Sequence, residues 1–174
     1  IDTLNSLFCH AFPINQADIK NKIPGVFYGR YQGDSYAGGN PWILLTADLA
    51  KLFYRGAELI LKEKELFGKA KLTTEDYEVW FKTLNLDKET LENGFLTNER
   101  DTNLAKALIS AGDAVLQKIY YYTKDGDFHL AEQLDKNTGA SKSAKDLSWS
   151  YATVIVAYKI RENALIKLHN NIEI

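Results

Sequence analysis

The sequence predicts an all-helical protein, and three observations support this prediction. Apolar residues recur at the three- and four-residue spacing of helix faces in several stretches of the 174-residue chain. No stretch alternates between apolar and polar residues, as a half-buried strand would. Two of the helical stretches are preceded by residue pairs that have the spacing of a helix capping box.

The N-terminal part of the chain is predicted to be one helix followed by a long loop. Residues 1–12 have apolar side chains at helical spacing, and Pro13 should end this helix because a proline nitrogen has no hydrogen to donate. Residues 13–39 are predicted to be irregular and rich in glycine. A loop of this length inside a compact domain is usually functional.

Two predicted helices follow this loop. Asn40-Pro41 should begin the first, over about residues 41–66, because asparagine is a good N-cap and proline fits the first helical position. Nearly all faces of this helix are apolar, so we expect it to be surrounded by protein. The second helix begins near Thr73, where Thr73 and Asp76 have capping-box spacing.

The C-terminal part is predicted to hold two more helices, separated by a second loop. An amphipathic helix covers about residues 100–123, and residues 124–145 form the loop. Ser143 and Asp146 again have capping-box spacing, and the last helix should run to about His169. The start of this last helix is apolar on every face. Fully apolar helices separated by amphipathic ones indicate an inner and an outer layer.

The charge balance and the motifs exclude several classes of function. The formal net charge is −2 with both signs interspersed, which disfavours nucleic acid and anionic membranes as partners and leaves a neutral ligand as the better fit. No apolar run is long enough to span a bilayer. The glycines of the first loop form neither a dinucleotide-binding motif nor a P-loop, so no cofactor is predicted. Cys9 is the only cysteine and cannot form a disulfide within the chain.

The first loop and its end combine side chains that suit a polyhydroxylated ligand. Arg30 offers a planar fork of donors, Asp34 can accept from paired hydroxyls, and Trp42 presents a flat apolar face. A structural role is also compatible with these residues, with Arg30 and Asp34 paired to hold the loop and Trp42 covering the core.

The second loop contains a candidate catalytic carboxylate. Glycosidic hydrolysis needs one carboxyl to protonate the leaving oxygen and a second to act on water or attack directly. Glu132 is a candidate because its neighbours Leu130, Ala131 and Leu134 are apolar, although a solvated acidic loop would look similar. His129 lies three residues before Glu132, but with three histidines in the chain we predict no metal site.

Both loops carry residues that match a known family in order and spacing. In the first loop these are Gly29-Arg30-Tyr31, Asp34, Tyr36 and Asn40-Pro41-Trp42. In the second they are Glu132-Gln133, Asp135-Lys136 and the ungapped run from Ser143 to Ala152. Together they resemble the substrate loop and the catalytic-base loop of glycoside hydrolase family 15, the fungal and yeast glucoamylases. The resemblance covers roughly residues 1–163.

The resemblance implies a fold and an activity. The fold would be an (α/α)6 barrel, a six-hairpin toroid, of which this chain supplies roughly the last five helices. Residues 1–174 would be the C-terminal portion of a single catalytic domain. The activity would be exo-hydrolysis of terminal α-1,4-linked glucose from starch, maltose and maltooligosaccharides, with inversion and release of β-D-glucose.

The resemblance also implies roles for individual residues. Glu132 matches the general base, and Arg30, Asp34 and Trp42 match residues that bind the sugar. Tyr36 and Trp149 match residues of the site wall. Five residues at three places depart from the family pattern, namely Gln32-Gly33, Ala37-Gly38 and Leu134, and none of these changes removes the base.

The general acid of the family lies in a Trp-Glu-Glu segment that this sequence does not contain. We therefore expect the N-terminal remainder of the catalytic domain to be a partner of this chain. Two alternatives remain open: a related inverting exo-α-glucosidase of the same fold that acts on trehalose or dextran, and a catalytically incomplete sugar-binding fragment. Both a secreted and a vacuolar location are compatible with the sequence.

Overall fold

The computed structural model of the protein describes residues 1–86 and 99–172. Within these ranges most of the chain is α-helical, which confirms the predicted all-α class. The helices are α1 (Asp2–Ala11), α2 (Pro13–Lys20), α3 (Ile43–Phe67), α4 (Thr74–Thr83), α5 (Arg100–Thr123) and α6 (Ser148–Asn170). Two short strands, β1 (Gln133–Leu134) and β2 (Ser141–Lys142), pair antiparallel, with Gln133 opposite Lys142.

The chain divides into two compact units. The first unit contains Ile1–Ala50 and Asp113–Tyr158, and the second contains Lys51–Gly112 and Lys159–Ile174. The first loop, residues 21–42, and the second loop, residues 124–147, both belong to the first unit. All of the predicted site residues therefore lie in one unit.

Helix α2 corrects the prediction that residues 13–39 are irregular throughout. Pro13 ends α1 as expected, because the preceding Phe12 adopts an extended conformation with φ −115° and ψ 107°. The same proline then occupies the first turn of α2, where its missing N–H costs no hydrogen bond. One residue thus ends one helix and begins the next.

Helix α3 begins two residues later than predicted. The asparagine at position 40 is not its N-cap, because Trp42 forms an isolated antiparallel bridge with Gln133. The first helical hydrogen bond is donated by the Thr46 amide to the Trp42 carbonyl, over 3.0 Å. The side chain of Asn40 is used instead to join the two loops.

The two predicted capping boxes have different outcomes. At α4 the Asp76 amide donates to the Thr73 hydroxyl and the Thr73 amide donates to the Asp76 carboxylate, which confirms the first box. The second is wrong, because Ser143 has a φ of +63° and α6 begins only at Ser148. The Asp146 carboxylate contacts His129 and Tyr151 rather than a backbone amide at Ser143.

The core of the first unit contains a buried ion pair. Lys118 Nζ lies 2.8 Å from Asp18 Oδ2, and the two side chains are 0% and 2% exposed. Lys118 also donates to the Gly25 carbonyl over 3.1 Å, and the Tyr122 hydroxyl donates to Asp18 over 2.6 Å. Burial lowers the pKa of Lys118, and its bond to Asp18 opposes this change. The pair thus joins α2, α5 and the start of the first loop.

Asn15 fixes the segment that leads into the first loop. Its side-chain amide donates to the carbonyls of Phe8 and Phe27, and its side-chain oxygen accepts from the Phe27 amide. These bonds satisfy the backbone of an irregular segment that is buried and has no secondary-structure partner. They hold the chain three residues before Arg30.

The second unit has a separate core around α3, α4 and α5. Tyr54 packs against Gly112, where a Cβ atom would lie 2.5 Å from the ring. Asp101 accepts hydrogen bonds from the Tyr77 hydroxyl and from the Ala70 amide. No helix in the described ranges is long and apolar enough to cross a membrane.

Candidate active site

A two-bond ion pair organises the first loop. Arg30 Nε and Nη2 donate to the two carboxylate oxygens of Asp34, over 2.8 and 2.6 Å. The Tyr36 amide donates to Asp34 over 3.0 Å. Mainly the Arg30 side chain, and then the Tyr36 amide, lower the pKa of Asp34 to about 2. The carboxylate is therefore ionised at any physiological pH.

Three aromatic rings surround the Arg30 guanidinium. Its Cζ atom lies 4.8 Å from the ring centre of Tyr36 and 5.3 Å from those of Tyr31 and Trp42. Tyr36 and Trp42 also contact each other, with centroids 6.0 Å apart. Cation–π attraction and the planar bonds to Asp34 both restrict the guanidinium. The structure thus brings Arg30, Asp34, Tyr36 and Trp42 into one cluster.

The backbone turn of the loop depends on Gly39. Gly39 has a φ of +65°, and a Cβ atom there would lie 2.0 Å from the Asp34 carbonyl oxygen. Ala37 also has a positive φ, of 50°, which is uncommon for a residue with a side chain. The turn therefore requires glycine at position 39 for reasons of space as well as conformation.

The backbone of the second loop is bonded directly to the end of the first. The Ile43 amide donates to the Glu132 carbonyl over 3.3 Å, and the Leu134 amide donates to the Pro41 carbonyl over 3.0 Å. These bonds flank the bridge between Trp42 and Gln133. Glu132 therefore lies next in sequence to the residue that pairs with Trp42.

Two buried amide side chains continue this connection. Asn40 Nδ2 donates to Gln133 Oε1 over 3.1 Å, and Gln133 Nε2 donates to Glu132 Oε2 over 3.0 Å. Asn40 Oδ1 accepts from the Lys136 amide. Both residues belong to the matching motifs, but from sequence Asn40 is predicted only as a helix cap and Gln133 has no predicted role. The two residues are 4% and 0% exposed, and this burial, which indicates a structural role, cannot be derived from sequence alone.

The Glu132 side chain is half-buried and accepts at least one hydrogen bond, from Gln133. The Glu132 amide donates to the Ala144 carbonyl over 2.9 Å, and the Ser150 hydroxyl donates to the Ala131 carbonyl over 2.8 Å. Its backbone is thus held by the end of the second loop and the start of α6. A carboxylate fixed in this way has a defined direction and remains open to solvent on part of its surface.

Asp135 and Lys136 hold the turn after Glu132. The amides of Asn137 and Thr138 donate to the Asp135 carboxylate and lower its pKa to about 2. Lys136 Nζ donates to the Gly38 carbonyl over 2.7 Å. Lys136 also lines a cavity of about 200 Å³, together with Arg30 and Asp34. Neither Glu132 nor Trp42 lines this cavity.

Two other residues of the predicted site region have surroundings that differ from the cluster. Trp149 is 71% exposed in the first turn of α6, and neither Tyr36 nor Trp42 forms its ring contact with it. His129 Nδ1 lies 2.6 Å from Asp146, and the described residues contain no group of three potential metal ligands. His129 thus takes part in a hydrogen-bonded pair at the start of α6.

Comparison with known proteins identifies the family. The family model described as glycosyl hydrolases family 15 matches residues 2–159. The chain belongs to glycoside hydrolase family 15. A glucoamylase of Blastobotrys adeninivorans is 31% identical over 155 residues, which are 84% of this chain and 24% of that protein. A glucoamylase of Saccharomycopsis fibuligera is 32% identical over 151 residues, 79% of this chain and 28% of that protein.

The solved structures agree with the sequence relatives. The structure of a Saccharomycopsis fibuligera glucoamylase matches 93% of this chain with a TM-score of 0.70 and 25% identity, and the chain covers 34% of that structure. Members of family 15 have the (α/α)6 barrel, so the predicted fold class is confirmed. The chain spans about a quarter of the length of the curated relatives described above.

Proposed function

We propose that this family 15 chain contributes the catalytic base and part of the glucose-binding site to a glucoamylase. The reaction is exo-hydrolysis of terminal α-1,4-linked glucose in starch, maltose and maltooligosaccharides, with inversion to β-D-glucose. The observation that carries this proposal is the pairing of Gln133 with Trp42, which links the loop of Glu132 to the Arg30 cluster. The glucoamylase names of the relatives support the choice of substrate.

Glu132 acts as the general base. In an inverting hydrolase the base removes a proton from water while the water attacks the anomeric carbon. A half-buried carboxylate with one oxygen bonded to Gln133 Nε2 can direct its other oxygen to that water. The carbonyl and amide of Glu132 are both bonded to backbone, so its position does not depend on the side chain alone.

The Arg30 cluster binds the terminal glucose. The guanidinium has five N–H donors and uses two of them on Asp34, which leaves donors for sugar hydroxyls. The rings of Trp42 and Tyr36 offer apolar faces on which a sugar ring can pack. Because ion pairing and the rings fix the arginine before sugar binds, little conformational entropy is lost on binding.

The general acid comes from the N-terminal remainder of the catalytic domain. An inverting pair of carboxyl groups is separated by roughly 6.5–9.5 Å so that a water fits between the base and the sugar. Each of the three tryptophans here is followed by a residue other than glutamate, so the acid segment of the family is not in this sequence. The remainder of the domain would place its acid on the other side of the bond.

The test uses α-D-glucosyl fluoride, whose fluoride leaves without being protonated and so does not require a general acid. We expect the 174-residue chain to hydrolyse this substrate to β-D-glucose. Proton NMR measures the rate and identifies the anomer that is released. Glu132→Gln should reduce the rate by about 10²–10⁴ because the base is lost. Asp127→Asn is the matched control, since it removes a carboxylate from the same loop and asparagine tolerates the φ of +56° there.

Equal rates for the wild-type chain and Glu132→Gln would show that Glu132 is not the base. Maltose, trehalose and dextran, supplied together with the N-terminal remainder, separate the substrate alternatives. Maltose should be cleaved fastest. A chain that binds glucose with unchanged affinity in every variant, but never accelerates hydrolysis, would be a sugar-binding protein instead.

A further inference from the structure

Asn40 is almost completely buried, and both polar atoms of its side chain form hydrogen bonds. Its nitrogen Nδ2 donates to the Ala37 carbonyl over 2.8 Å and to Gln133 Oε1 over 3.1 Å. Its oxygen Oδ1 accepts from the Lys136 amide over 3.2 Å. A side-chain amide has two N–H groups, so both donors of Asn40 are used. Asn40 is neither the proposed base nor part of the Arg30 cluster, so this bonding needs another explanation.

Backbone groups determine which way the Asn40 amide faces. The Lys136 amide can only donate and the Ala37 carbonyl can only accept, so the oxygen of Asn40 faces the first and its nitrogen the second. The other N–H of Asn40 then points at Gln133. An asparagine flipped end for end would bring two oxygens together at Ala37 and two N–H groups together at Lys136. The backbone therefore selects one orientation.

The orientation of Asn40 determines the orientation of Gln133, which contacts the proposed base. Because Gln133 presents its oxygen to the Asn40 donor, its nitrogen faces Glu132 and donates to Oε2 over 3.0 Å. A reversed Gln133 would place an oxygen against the Glu132 carboxylate, and the two would repel each other. Gln133 is fully buried, so water does not compete for either end of its amide. Asn40 thus ensures that a donor, and not an acceptor, meets the base.

The Asn40 side chain also depends on the conformation of the first loop. Its partner Ala37 has a φ of 50° and lies in the turn that Gly39 completes. This turn presents the Ala37 carbonyl to Asn40 Nδ2. Asn40 also lines the cavity of about 200 Å³ that is lined by Arg30 and Asp34. The orientation of the base is therefore connected to the loop that holds the Arg30 cluster.

We propose that Asn40 is a positioning residue for the catalytic base, because it fixes the direction of the hydrogen-bond chain that holds Glu132. This inference rests on the proposed function, in which Glu132 removes a proton from water. A carboxylate held at Oε2 by an N–H group has its other oxygen available for that water. Aspartate has the shape of asparagine but no donor, and leucine has neither donor nor acceptor. Asparagine is thus the residue of this size that forms all three bonds.

The experiment measures hydrolysis of α-D-glucosyl fluoride by the 174-residue chain and by Asn40→Asp. This substitution keeps the shape of the side chain and removes both donors. We expect kcat and kcat/KM to fall by the same factor, about tenfold or more, since a hydrogen bond to the charged base is lost while sugar binding is retained. Asn137→Asp is the matched control, because it makes the same change at an exposed position of the second loop, where the backbone amide forms the bond to Asp135. It should leave both constants unchanged.

A second background separates positioning from the effect of an added charge. Gln133→Met removes the amide through which Asn40 would act and keeps the length of the side chain. It should lower kcat, and Asn40→Asp should lower kcat no further in this background. An equal loss of kcat in both backgrounds would show that the new charge acts on Glu132 directly, and would overturn the proposal. An unchanged kcat in Asn40→Asp, or an effect confined to KM, would overturn it as well.

Nitrogen-15 NMR tests the orientation of the Gln133 amide without catalysis. Its side-chain signal should shift when Glu132→Gln removes the charge of its acceptor, and this response should be lost in Asn40→Asp, where the nitrogen turns toward position 40. A signal that does not respond to Glu132→Gln in the otherwise wild-type chain would contradict the proposal, and this measurement needs no variant of Asn40. A chain that shows the response and its loss but hydrolyses nothing would contradict the proposed function alone. Circular dichroism should show unchanged helix content in every variant.

Discussion

Asp34 has a carboxylate that accepts hydrogen bonds from Arg30 and from the Tyr36 backbone. These bonds lower its pKa from 3.8 to about 2, with the Arg30 side chain as the largest cause. Because the folded-state pKa is the lower one, the folded state favours the ionised form. The stabilisation of the folded state by this pKa shift is complete above the unfolded-state pKa, and it is lost as the pH falls through about 2.

We therefore predict that the Asp34 carboxylate stays ionised at pH 3, where an ordinary aspartate is largely protonated. Carbon-13 NMR of the side-chain carboxyl should give a titration midpoint near pH 2. Arg30→Met should raise this midpoint, since it removes the largest cause of the shift. A wild-type midpoint close to 3.8 would show that the pair does not persist in solution.

The roles of single residues were partly predictable from sequence. Arg30 and Asp34 lie four residues apart in a glycine-rich loop. The sequence predicts either an ion pair between them or binding of a ligand, and both alternatives use the same two side chains. The role of Asn40 was not predictable, because its partner Gln133 lies 93 residues away. At the level of sequence, Asn40 looked like a helix cap.

Backbone conformation and sterics restrict the first loop at its glycines. Gly39 and Gly33 both have a positive φ, of +65° and +78°, so alanine at either position is strained by about 1–2 kcal/mol. A Cβ atom at Gly39 would lie 2.0 Å from the Asp34 carbonyl oxygen, whereas one at Gly33 has no atom within 4 Å. The two glycines therefore separate conformational strain from steric overlap.

Gly39→Ala should lower the free energy of unfolding by clearly more than Gly33→Ala, and should weaken glucose binding because Asp34 must move. Urea denaturation measures the first effect and isothermal titration with glucose the second. Gly33→Ala serves as the control for strain alone. If the two variants lose the same stability, the tight turn at Asp34 is not present in solution.

Helix boundaries could be predicted from sequence where residues close in sequence determine them. Helix α5 covers residues 100–123 as predicted, because its amphipathic pattern is continuous. The sequence does not predict the helix at 13–20, because Pro13 indicates a helix end as well as a helix start. At Ser143 the capping pattern was present, but tertiary bonds from His129 and Tyr151 occupied the Asp146 side chain. Local patterns fail where a distant residue competes for the same group.

At the scale of the whole molecule, the Lys118–Asp18 pair is a buried contact that links distant parts of the first unit. Its residues are 100 positions apart, and both side chains are almost completely buried. Removing one partner from a buried ion pair leaves an uncompensated charge, which costs about 3–5 kcal/mol. Removing both charges costs less, because no charge remains to be desolvated.

We predict that Lys118→Met lowers the free energy of unfolding by about 3–5 kcal/mol. The double variant Asp18→Asn with Lys118→Met should recover a substantial part of this loss, as measured by urea denaturation. Tyr122 keeps a hydrogen-bond acceptor at position 18 in the double variant. If the loss of stability in the double variant equals the sum of the losses in Lys118→Met and Asp18→Asn, the two residues do not interact.

Family membership could be predicted from the two loops, because their residues match in order and spacing over most of the chain. The direct bonding of the loops to each other could not, since it depends on an antiparallel bridge between positions 42 and 133. No local pattern in either segment indicates that pairing.

Exchange of parts between family members is constrained by this bridge. A graft of residues 21–42 from a relative would bring that relative's residues at positions 40 and 42, while their partners Gln133 and Lys136 would stay behind. Where the relative differs from this chain at either position, the transplanted segment would meet a mismatched set of acceptors and donors. Engineers who wish to transfer substrate preference should therefore move both segments as a matched set, and evolution should tend to change them together.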